Sequence, residues 1–101
     1  MFADLAELDS VTAQWTAERD RMRIDGQTIR DAIQMCNAPA EDMMSHYQAN
    51  RLKDSLTEAW NHNQAMFNYA DGYVHKLEAS RQSMAKTEQD NIARLRTTGE
   101  S

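Results

Sequence analysis

Apolar residues recur at every seventh position through the first third of the chain: Leu8, Trp15, Met22, Ile29 and Cys36, with Val11, Ala32 and Ile33 beside them. A period of seven held this long predicts a helix whose seam follows a partner helix in a left-handed supercoil. A second, looser stripe runs through Leu52, Leu56, Trp60, Phe67, Ala70, Val74, Leu77 and Met84. Asn63 and Arg81 interrupt it, and polar residues in a seam set register or partner choice. One stretch between the stripes reads as a break, "CNAPAED" at 36–42. Asn37 can take the left-handed conformation that ends a helix, and Ala38, before Pro39, is pushed towards extended geometry. Pro39 suits a first helical position, and Glu41 and Asp42 suit a first turn at the positive end of the helix dipole. The pattern predicts one all-α domain over 1–101, an antiparallel helical hairpin. Its first helix covers about 5–36, the turn 37–40, the second helix about 41–96, and a flexible tail 97–101.

Two Asp-Gly pairs, Asp25-Gly26 and Asp71-Gly72, carry a turn signal. The spacings Met22–Ile29 and Ala70–Leu77 nevertheless persist across both glycines, so both are read as interior helix positions where another chain segment comes close. A turn centred at 38–39 opposes residues whose numbers add to about 77. In that register Trp15 lies level with His62 and Trp60 with Ala17, so the two tryptophans share a layer. The second arm then outruns the first from about 75 to 96, an overhang of about 30 Å at 1.5 Å per residue. The stretch "SMAKTEQDNIARL" at 83–95 lies wholly on that overhang, with Met84, Glu88, Ile92 and Leu95 on one face.

Composition changes the picture in one respect. Leu, Ile, Val and Phe number only 14 of 101 residues, against 14 Ala and 7 Met. That is below the roughly 20% at which chains become disorder candidates, yet the patterning is helical throughout. A folded chain with so thin a core is expected to share its apolar face with a partner. The expected assembly is a four-helix-bundle dimer, with itself or with a similar helical hairpin, through Leu8, Val11, Trp15, Met22, Ile29, Ile33, Leu52, Leu56, Trp60, Phe67, Val74 and Leu77.

Charge and candidate chemistry narrow the function classes. The net charge is −5, and Arg19, Arg21 and Arg23 are interleaved with Glu18, Asp20 and Asp25, which argues against a nucleic-acid groove. No apolar run approaches a membrane span, and "MFADLAELDS" does not read as a Sec-type signal peptide. Cys36 is a lone cysteine at a helix C-terminus, read as a small seam residue. Glu58–His62 and Asp71–His75 are i, i+4 pairs, but no zinc or di-iron pattern accompanies them, so surface pairing is expected and no metal or other cofactor. Ser10 and Ser83 lack a His–acid pair at recognisable spacing, and no phosphate loop occurs, so no enzyme activity is expected. Met22, Met66 and Met84 read as gap fillers and Met43 and Met44 as an exposed contact, while Tyr47, Tyr69 and Tyr73 read as boundary residues.

Trp15 and Trp60, one in the middle of each arm, together with "YVHKLEAS" and "TEQDNIARL", resemble the WXG-type small helical-hairpin proteins of type VII (ESX) secretion in actinobacteria. The likeness runs from about Leu8 to Leu95 and is closest to the EspC-like, ESX secretion-associated branch. The family's Trp-x-Gly is absent from "CNAPA". Where the family carries Tyr-x-x-x-Asp/Glu, this chain has Met84-x-x-x-Glu88. The resemblance implies a non-enzymatic substrate, or a substrate partner or chaperone, exported without a Sec signal. It also implies that a secretion ATPase or an accessory chaperone reads the helix end at Met84 and Glu88. The residues alone leave open a cytoplasmic helical adaptor or immunity-type interaction module, and a small metal- or ligand-binding bundle.

Overall fold

In the computed structural model the described residues are 4–37 and 46–100, and they form two antiparallel helices, α1 (Leu5–Asn37) and α2 (His46–Glu100). The chain is an all-α helical hairpin, drawn out to 85 × 16 × 15 Å. The expected turn at 38–40, the first residues of the second helix from 41, and Met43 and Met44 lie outside the described residues.

Local chemistry accounts for the helix starts and interiors. Asp4 caps α1: its Oδ1 accepts from the Glu7 N–H at 2.7 Å and its carbonyl accepts from the Leu8 N–H at 3.1 Å. Mid-helix threonines turn their hydroxyls back to the carbonyl four residues earlier, as Thr12 does to Leu8 at 2.8 Å and Thr57 to Lys53 at 2.8 Å. Asn37 stays helical, since no non-glycine described residue has a positive φ, and its side-chain oxygen accepts from Lys53 Nζ at 2.7 Å across the hairpin. The expected left-handed cap at Asn37 is therefore absent. At the far end α2 continues through Gly99 to Glu100, so 97–100 is helix and not a tail.

The register differs from the sequence expectation. Trp15–Tyr69, Trp15–Tyr73, Met22–Asn63, Arg19–Asp71 and Asp9–Arg81 are opposed pairs whose numbers add to between 84 and 90, not about 77. The physical reason lies in the pattern itself. A slide of about three helical turns returns apolar positions to the seam, so apolar spacing alone fits both registers. Three expectations change with it. Trp15 lies against Tyr69 and Tyr73 instead of His62. Trp60 lies against Gly26 instead of Ala17, so the tryptophans occupy different layers. The overhang starts near 84 and not at 75, because Leu77 is buried and Arg81 Nε donates to Asp9 Oδ1 at 2.6 Å. About 25 Å of α2 still extends past the start of α1.

The core sits at the end where α1 begins. Leu8, Ala70, Val74 and Leu77 are its buried apolar residues among those described. Towards the other end the seam is incomplete: Val11, Trp15, Met22, Ile29, Ile33, Leu56, Trp60 and Phe67 are half-buried, and Leu52 is exposed. The two interior glycines differ. A Cβ at Gly26 would come within 2.5 Å of Asn63 Oδ1, whereas one at Gly72 would meet nothing within 4 Å. Gly72→Ala is accordingly expected to raise stability by up to about 1 kcal/mol, read from urea or thermal unfolding, because it removes unfolded-state freedom at no steric cost. A fall in stability would show that Gly72 is held against something the hairpin needs.

Candidate interaction surface

The hairpin has two unlike sides. Trp15 defines one, packing its indole on the Tyr73 ring at 4.7 Å between centroids and 54° between planes, with Tyr69 at 6.4 Å. Residues seven apart on a helix lie nearly above one another. Met22, Ile29 and Cys36 therefore continue from Trp15 along α1, while Met66, Ala59 and Leu52 continue from Tyr73 along α2. In the antiparallel register these stripes advance together in four layers: Trp15 with Tyr73, Met22 with Met66, Ile29 with Ala59, and Cys36 with Leu52. The α1 members and Tyr73 are half-buried, Met66 and Leu52 are each 42% exposed, and Ala59 is exposed. Within the single hairpin Met66 is left uncovered, and Tyr73 belongs to the face as a stacking partner. Open depressions of about 410 and 420 Å³ flank the aromatic stack, one along Trp15, Ala17 and Glu18 and one along Tyr69, Gly72 and Lys76.

The other side places Trp60 and Phe67 beneath charged and polar neighbours, so these two residues of the expected seam lie on the flank away from Trp15. The Arg23 guanidinium lies over the Phe67 ring at 5.7 Å, and Gln27, Arg30 and Gln64 surround Trp60 in a cleft of about 140 Å³. That volume is below the roughly 300 Å³ at which small-molecule sites begin. The basic cluster is paired: Arg19 with Asp71 at 3.1 Å and Asp20 at 3.4 Å, Arg21 with Glu18 at 3.2 Å, Arg23 with Asp20 at 3.4 Å. These cross-helix and local pairs, like Arg81–Asp9, follow no short-range sequence pattern except the i, i+3 spacings.

No protein family, curated protein or solved structure matches the chain.

The extension is a second feature. Met84 and Ala85 are half-buried at its root, and residues 86–97 are all exposed. Glu88 lies one turn beyond Met84 on the same face and has no partner among the described residues. Ile92 and Leu95 follow, 52% and 72% exposed. His75 Nδ1 donates to the Asp71 carbonyl at 2.8 Å and approaches Asp71 Oδ2 at 3.6 Å, a pairing within α2. Cys36 is a free thiol. No helix among the described residues is long and apolar enough to cross a membrane.

Proposed function

We propose that the chain is a non-enzymatic substrate, or a substrate partner, of type VII secretion, acting by recognition. Its apolar side docks a second helical hairpin, a copy of itself or a similar chain, to make a four-helix bundle. The extension beyond that bundle presents Met84 and Glu88 to the secretion ATPase or its accessory chaperone. The observation that carries this reading is the placement of the pair. Met84 closes the packed region, and Glu88 stands free on the first open turn past it. An acid there is available to a receptor without unfolding anything.

The surface area leaves room for a partner, part of its excess coming with the elongated shape and the bare extension. The chain exposes 8040 Å², whereas a compact monomer of 11.6 kDa exposes about 5,800 Å². The excess exceeds the roughly 800 Å² per partner of a standard stable interface. Exposed Ile92 and Leu95 favour a second reading in which the extension packs on another protein, as in a cytoplasmic helical adaptor or immunity-type module.

Export separates the two. In a host with an intact type VII system, Glu88→Ala and Met84→Ala are expected to abolish appearance of the chain in the culture filtrate while intracellular levels and helix content stay at those of the parent. Export of both variants at the parental level contradicts the address role of the extension and leaves the adaptor reading.

A further inference from the structure

Apolar spacing leaves the register of this hairpin open, and among the polar contacts across it one is seated against a buried glycine. A helical side chain leans over the turn that precedes it, so any side chain at 26 would cover the carbonyl of Met22. Glycine leaves that carbonyl uncovered. The Asn63 amide occupies the space: Nδ2 donates to Met22 O at 3.0 Å, a carbonyl with a second lone pair free beside its own helical bond. Gly26 is buried, Asn63 is half-buried, and the Trp60 ring lies 3.5 Å from where a Cβ at 26 would be.

The seams repeat every seven residues, but this contact does not. Seven positions either side of Gly26 stand Arg19 and Ile33, and seven either side of Asn63 stand Leu56 and Ala70. A slide by one heptad keeps apolar facing apolar and drives Asn63 against a full side chain, with its hydrogen bond lost. The ion pairs Arg19–Asp71 and Arg81–Asp9 and the Lys53–Asn37 hydrogen bond agree with the observed register. Arg19 is 18% exposed, but Asp71 is 35% exposed, Arg81 and Asp9 are about half exposed, and the Lys53–Asn37 contact is exposed, where water screens such contacts. We infer that Asn63 seated against Gly26 is the register lock of the hairpin. By fixing the register it aligns Trp15 with Tyr73, Met22 with Met66, Ile29 with Ala59 and Cys36 with Leu52 into one continuous face. The lock holds whatever that face binds, so it stands or falls apart from the secretion reading.

Cross-linking tests it on the full chain in a Cys36→Ser background. Ile29→Cys with Ala59→Cys reports the observed register, while Ile29→Cys with Leu52→Cys or with Met66→Cys reports slides of seven in either direction. The cross-linker is a thiol reagent shorter than one heptad, about 10 Å. With Asn63 and Gly26 intact, intramolecular cross-linking is expected at 29–59 alone. Asn63→Leu, which keeps the branching and heavy-atom count and removes the polar contact, is expected to raise cross-linking of the slid pairs at least tenfold while circular dichroism shows the parental helix content. Gly26→Ala, which displaces the Asn63 amide and leaves the residue in place, is expected to do the same and decides the matter should Asn63→Leu lose its helices. Cross-linking confined to 29–59 in both variants overturns the inference. So does loss of helix content in both, because that outcome assigns the contact to stability and not to register.

Discussion

Leu8→Ala is expected to destabilise the hairpin by about 2–5 kcal/mol, the range for removing a buried leucine side chain and leaving a cavity. Leu8 is fully buried and is the one apolar side chain that α1 contributes to the buried core among the described residues; Ala70, Val74 and Leu77 come from α2. Its position one turn inside the Asp4 cap means that losing it also frees the start of α1 to fray. Near the melting temperature a change of this size lowers the midpoint by roughly 10 °C or more for a domain of this length. The comparison is made at one protein concentration, because association adds to apparent stability. Ile24→Ala, at a site 61% exposed on α1, serves as the control and is expected to move stability by less than about 0.5 kcal/mol. A Leu8→Ala variant that melts with the parent would show that the packed end of the hairpin is not where its stability resides.

Trp15→Ala is expected to weaken association with the proposed partner hairpin by at least about 2 kcal/mol, close to a thirtyfold rise in Kd. The indole is half-buried within the hairpin, stacked on Tyr73, with open depressions on both sides of the stack. An aromatic anchor with its outer edge uncovered has more area to lose on docking than the small or flexible side chains of the lower layers. Sedimentation velocity over a concentration series reads the shift. Arg23→Ala, on the opposite flank over Phe67, is the matched control and is expected to leave association unchanged. If Arg23→Ala dissociates the complex and Trp15→Ala does not, the docking side has been assigned to the wrong flank.

The seven-residue stripe from Leu8 to Cys36 made the helical hairpin legible, because a sustained seam period has few other physical meanings. The same regularity concealed the register. A stripe that matches itself after a slide cannot say which layers meet, so the pairing of Trp15 with Tyr73 instead of His62, and the later start of the extension, came only with the structure. Asn63 was visible as a polar interruption, but its partner was not: it bonds a backbone carbonyl that becomes reachable only because residue 26 lacks a side chain. Gly26 and Gly72 look alike in sequence, each after an aspartate, and differ only in what the opposite helix brings up to them. Arg19–Asp71 joins residues 52 positions apart, beyond any local pattern. The cap in "DLAE" at 4–7, by contrast, is short-range chemistry that the sequence carries in full.

We propose that this hairpin works with its apolar side covered by another hairpin. Native mass spectrometry of the chain, isolated from its own cells at its own expression level, tests it most directly. The expected result is a two-chain complex, at about 23 kDa if both chains are copies of this 11.6 kDa protein, or at its mass plus that of one similar helical hairpin. A single chain at 11.6 kDa under those conditions contradicts it.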